Sequence, residues 1–120
     1  SGADMGATWL LPRIVGHGRA SEILMTGDFI DPAEAHRIGL YNRVVPVADV
    51  MTTARALAEK LARGPSFGLS VTKEALDREW SMDIDSGMRW ETEIQAACML
   101  DPNFHESYEA FVAKRPTEFR

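Results

Sequence analysis

The chain has 120 residues, 45% of them hydrophobic and 26% charged, with a formal net charge of −5. This is an ordinary globular composition, long enough for one domain or a large piece of one. The acidic balance argues against a dedicated nucleic-acid binder, which needs a basic excess to meet phosphates, and leaves room only for a local basic patch facing one phosphorylated ligand. The single cysteine, Cys98, excludes an intrachain disulfide and is compatible with a reducing compartment. No apolar run approaches the length of a membrane span. A cytoplasmic protein with neither a membrane nor a nucleic-acid partner is expected.

Residues 1–8, SGADMGAT, are small and Gly-rich and read as a turn leading into a helix. The chain opens at Ser1 directly on this turn, and the expectation is that further sequence precedes it. Residues 9–15 are apolar but interrupted by Pro12, and Gly16 and Gly18 flank His17 as a second turn. Arg19 to Met25 has helical spacing in Ala20, Ile23 and Leu24, with Gly27 as its stop. Asp31 followed by Pro32 is an N-cap with proline in the first helical position, opening a short helix that ends at Gly39. Leu40 to Val45, bounded by Gly39 and Pro46, is the one strand candidate. A lone strand is a poor unit, because its backbone groups need a partner, so this segment is expected to pair with something outside the chain.

The clearest amphipathic helix covers residues 47–63, with Val47, Val50, Met51, Ala54, Leu57, Ala58 and Leu61 in one stripe and Gly64-Pro65 ending it. Further helices are expected from Ser66 to about Trp80 and from about Asp83 to Met99. Asp101-Pro102 interrupts the pattern. The last helix carries Tyr108, Phe111 and Val112 on one face and stops before Pro116. The chain is thus expected to be mainly α.

The stretch from Gly2 to Gly16, a Gly-rich turn followed by a helix bearing Leu11-Pro12-Arg13 and Val15-Gly16, resembles the crotonase (enoyl-CoA hydratase/isomerase) superfamily. Arg19-Ala20, Thr26-Gly27-Asp28, Ile30-Asp31, Glu34-Ala35, Gly39-Leu40 and Val44-Val45-Pro46 match the same family in order. Ala110-Phe111-Val112-Ala113-Lys114-Arg115-Pro116 is similar to its closing helix. The resemblance covers essentially the whole chain. It implies the C-terminal portion of an α/β crotonase-like spiral fold: residues 1–45 as the tail of the spiral core and 46–120 as a helical region that packs subunits into trimers or hexamers. It further implies an enzyme acting on an acyl-CoA thioester through an enolate-like oxyanion, held by backbone N–H groups of a missing N-terminal half. Hydration of a 2-enoyl-CoA or a shift of its double bond is expected. Reactions of the dienoyl-CoA isomerase or dehalogenase kind are alternatives, and so is a helical assembly module without catalysis. No metal or redox cofactor is implied, coenzyme A being part of the substrate.

Asp4 is the catalytic candidate. From the residues alone, an Asp in a turn before a helix is a capping group for free N–H donors. The resemblance implies instead an acid/base or nucleophile at the mouth of a dry pocket. Lys114 at a helix end is, by itself, a cation favoured by the macrodipole, and Arg115 beside it reads the same way. The resemblance gives Lys114 the phosphate-bearing end of coenzyme A and Phe111 the adenine region, and the two are expected on one helical face. His17, His36 and His105 lack metal-ligand spacing and read as surface or local hydrogen-bonding residues. Cys98 reads as a small core residue, and Trp9, Trp80 and Trp90 as core or interface anchors. Met5 and Trp9 as an acyl-pocket lining carry less weight.

Overall fold

The computed structural model describes residues 2–120, so Ser1, the start of the expected segment 1–45, lies outside the described residues. Among the described residues seven α-helices follow one another: α1 (Ala7–Val15), α2 (His17–Thr26), α3 (Pro32–Arg37), α4 (Val50–Ala62), α5 (Ser66–Arg78), α6 (Ile84–Leu100) and α7 (Pro102–Ala113). They fall into two compact units, Ser1–Val50 and Met51–Arg120.

In the first unit α1 packs against α2. Pro12 sits inside α1 rather than breaking it, and the helix ends at Gly16, whose N–H returns to Pro12 O at 3.0 Å. Gly18, expected in a turn, belongs to α2, which starts directly after Gly16. Gly27 ends α2 at φ 68°, a left-handed conformation that costs glycine nothing. The cap foreseen for α3 is formed: Asp31 Oδ1 accepts the Glu34 N–H at 2.9 Å, with Pro32 at the first helical position. Two of the motif pairs have a structural reason. Ala20 and Ala35 are each 1% exposed, and their neighbours Arg19 and Glu34 meet at 3.1 Å. The expected strand from Leu40 to Val45 does not form; no strand occurs among the described residues. Its β-favouring side chains remain, but a strand is defined by a ladder, and no second segment here supplies one.

At the end of the first unit a 3₁₀ turn at Val47–Asp49 feeds α4, nearly all of which belongs to the second, so the helical pattern from residue 47 is real but begins tightly wound. α5 packs on α6 and α6 on α7. Asp83 caps α6 through Ser86, by its N–H at 2.9 Å and its hydroxyl at 2.7 Å. Asp101 ends α6 and caps α7, accepting the Asn103 N–H at 2.8 Å.

Burial is scant in both units. Among the described residues the buried apolar side chains are Ala20, Ala35, Val71 and Ala110, and no large one is fully buried. The stripe of α4 is open to solvent, with no buried residue in that helix. Cys98, expected in a core, is only half-buried. A folded monomer of 13.3 kDa exposes about 6,500 Å², and two separate globules of the same total mass about 7,800 Å². This chain exposes 9829 Å². The apolar stripes are therefore left largely uncovered within each unit. Among the described residues no helix is long and apolar enough to cross a membrane.

Candidate functional site

Asp4 lies just ahead of a left-handed step formed by Met5 at φ 51° and Gly6 at φ 84°. The step closes the turn with backbone alone: Asp4 O accepts the Ala7 N–H at 2.9 Å, and Gly6 O accepts those of Trp9 and Leu10 at 3.0 and 2.8 Å. Gly6 is the N-cap of α1, and no side chain caps this helix. The capping role that sequence logic assigns to Asp4 is therefore not taken; its carboxylate stands exposed, with no helix to hold. Met5 is 96% exposed and carries a backbone conformation unfavourable for a side-chain-bearing residue. Neighbouring Trp9 lies under the Arg13 guanidinium, 3.8 Å from the ring centroid.

The other two candidates share the end of α7. Lys114 follows the last helical residue at φ 53°, ψ 39°. Its N–H donates to Phe111 O at 3.2 Å, and the Arg115 N–H reaches back to Ala110 O at 3.0 Å. Together these bonds form a Schellman motif, whose left-handed slot glycine normally fills. A lysine there costs about 1–2 kcal/mol of backbone strain. The expectation that Lys114 and Phe111 share a helical face is corrected by this geometry, since Lys114 has left the helix. Both side chains are nonetheless exposed at that end, Phe111 at 83%.

Lys114 and Arg115, which read alike as helix-end cations, are used differently. The Arg115 guanidinium is committed to Glu106 through two bonds of 2.6 and 2.9 Å. Glu106 Oε1 also accepts the Glu118 N–H at 2.7 Å. The Arg115 fork, and after it the Glu118 N–H, hold the Glu106 carboxyl down at about 2, well below the ordinary 4.5. The tail is tied a second time by Asn103, 7% exposed, whose side-chain amide donates to Arg120 O at 3.1 Å and accepts the Arg120 N–H at 2.9 Å. No ion pair among the described residues involves Lys114, which leaves its ammonium available to a ligand. Sequence reasoning missed this clamp because Glu106 and Arg115 are nine residues apart across a helix end, a spacing that no periodicity connects.

Elsewhere, an open groove of about 1040 Å³ runs between α5 and α6, lined by Leu69, Leu76, Met88, Ile94 and Met99. Neither Phe111 nor Lys114 lines it. Glu79 borders the groove, and its Oε1 is buried with no partner. His36 Nδ1 is 2.9 Å from Tyr41 O, the local bond expected of it. Among the described residues no three His, Cys, Asp or Glu side chains are grouped as a metal site.

Comparison with known proteins makes the class definite. The sequence profile of the family described as Enoyl-CoA hydratase/isomerase matches residues 1–120, and the chain belongs to that family. It is 34% identical over 116 residues to 1,2-epoxyphenylacetyl-CoA isomerase of Escherichia coli K12, an alignment covering 97% of this chain and 44% of the relative. It is also 34% identical over 113 residues to short-chain-enoyl-CoA hydratase of Clostridium acetobutylicum, covering 94% and 43%. The crystal structure of an enoyl-CoA hydratase/isomerase from Cupriavidus metallidurans CH34 superposes with a TM-score of 0.90 at 35% identity, covering 98% of this chain and 44% of that one. The chain thus spans less than half the length of the relatives it matches.

Proposed function

We propose that this chain is the C-terminal half of an enzyme that hydrates or isomerises an enoyl-CoA, with the acyl-CoA bound by both halves of the protein. The observation that carries the reading is the end of α7: a lysine held in a strained left-handed slot, without a carboxylate partner, beside an exposed phenylalanine. A cation there meets a phosphate of coenzyme A as a point charge, and Phe111 offers its ring to the adenine. At the other end of the chemistry, Asp4 takes or delivers a proton on the acyl chain while the thioester oxygen carries the enolate charge. The backbone donors for that oxyanion belong to the N-terminal half. Neither a metal nor a redox cofactor is needed, and the compartment on this reading is the cytoplasm.

The uncovered stripes of α4 to α7 support assembly into trimers or hexamers, and those of residues 2–45 support packing against the N-terminal half. The same exposure is what a non-catalytic assembly module would show, so activity is the discriminating measurement. The full-length protein should turn over crotonyl-CoA or a positional isomer of it, while the 120-residue chain alone should not. Asp4→Asn should lower kcat by about 10²–10⁴-fold, as expected when a general acid/base is lost. Stability should hardly change, since Asp4 caps no helix. A full-length protein inert toward enoyl-CoA substrates, or an Asp4→Asn enzyme with unchanged turnover, would refute the catalytic reading.

A further inference from the structure

We propose that Glu106 is a positioning residue for coenzyme A binding: by holding Arg115, it keeps Lys114 in its left-handed slot and so aims the ammonium at the phosphate. The inference rests on the reading of Lys114 given above and adds a residue that touches no substrate.

The geometry shows why such a device is needed. A lysine in the glycine slot of a Schellman motif is held against its own backbone preference. The two backbone bonds of the motif oppose that preference, but helix ends fray, and an exposed last turn is the least protected part of a helix. Residue 115 is the next link in the chain. Its side chain is anchored by a two-point fork to a carboxylate two turns back along α7, at 2.6 and 2.9 Å. The same carboxylate takes the Glu118 N–H at 2.7 Å, so the chain beyond Lys114 is gripped at two places by one side chain. Asn103 grips Arg120. With both sides fixed, α7 before it and the tail after it, residue 114 has little freedom to relax toward an extended conformation. Glu106 has the burial for this role, with a side chain 19% exposed against 40% for Arg115. A fork of this kind is directional, which a single-point ion pair is not.

The test is a double-mutant cycle in the full-length protein, read as KM and kcat for crotonyl-CoA and for its pantetheine thioester. Glu106→Gln keeps the side-chain size and one acceptor but loses the charged fork. It should raise KM for the CoA substrate by about three- to tenfold, the scale of part of a charge-assisted contact. kcat should stay within about twofold, and the pantetheine KM should hardly move. Lys114→Ala should raise the CoA KM at least as much. In the Lys114→Ala background, Glu106→Gln should add less than about twofold, because the residue it positions is gone. Equal penalties in both backgrounds, a fall in kcat, or an equal loss on the pantetheine substrate would show Glu106 to be structural only. If Glu106→Gln does not fold, Arg115→Lys carries the same cycle, since it keeps the charge and removes the fork. Should neither fold, the pair holds the fold and the positioning role is wrong. A wild-type protein without acyl-CoA turnover removes the function and this inference together; a normal wild type with a silent Glu106→Gln removes this inference alone.

Discussion

Replacing Lys114 by glycine and by alanine separates what its backbone does from what its ammonium does. Both variants lose the cation, so both should raise KM for an acyl-CoA by the same factor and leave kcat in place. They differ in the backbone. At φ 53°, ψ 39° a Cβ crowds the following carbonyl oxygen, a cost of about 1–2 kcal/mol that alanine keeps and glycine removes. Glycine gives back part of this, about 0.5–1 kcal/mol, through the greater freedom of its unfolded chain. The net expectation is that Lys114→Gly is more stable than Lys114→Ala by about 0.5–1 kcal/mol, and more stable than the wild type by a similar amount. The assay is urea unfolding of the full-length variants followed by tryptophan fluorescence, with the midpoints compared at equal slope. Trp80 and Trp90 lie in the same unit as α7 and serve as reporters. If glycine proves no more stable than alanine, residue 114 is not left-handed in solution, and the strained slot was misread. If glycine is more stable but keeps the wild-type KM, the conformation stands and the coenzyme A contact falls.

Two further perturbations address the tail. Asn103→Ala removes both bonds to Arg120 and leaves those backbone groups without their buried partner; a loss of about 1–3 kcal/mol is expected, together with faster tryptic cleavage after Lys114, the Arg115–Pro116 bond being resistant to trypsin. Unchanged proteolysis would mean the tail is held without Asn103. Glu106 has a depressed carboxyl, about 2 against 4.5, so its contribution to stability is complete above the ordinary carboxylate range and is lost as pH falls from about 4.5 toward 2. The protection factor against hydrogen exchange at the Glu118 amide, which donates to Glu106, should persist down to about pH 3 and fall away near 2, and in Glu106→Gln this pH step should be absent. Loss of protection already near pH 4.5 would place the carboxyl at its ordinary value.

The helices were legible in the residues because their causes are local. Asp31-Pro32, Asp83 and Asp101-Pro102 start helices by accepting N–H groups two or three residues on, and Gly16 and Gly27 stop them by adopting positive φ, all within reach of one turn. The order of the family motifs was legible for the same reason, and it carried the assignment of Asp4, Phe111 and Lys114 as candidates. What depended on distant partners was not legible. Leu40 to Val45 has strand chemistry, yet forms no strand here, because pairing is a property of two segments and only one is present. Asp4 has capping chemistry, but the left-handed step at Met5-Gly6 hands the N-cap position to Gly6 and frees the carboxylate. Lys114 and Arg115 are adjacent cations in the sequence; the turn at the end of α7 sends one to Glu106 and leaves the other open. The apolar stripe of α4 could be read from its period, but period says only that a face wants cover. That nothing within either unit covers it follows from tertiary burial alone, because burial depends on which surfaces meet in space and not on their order along the chain.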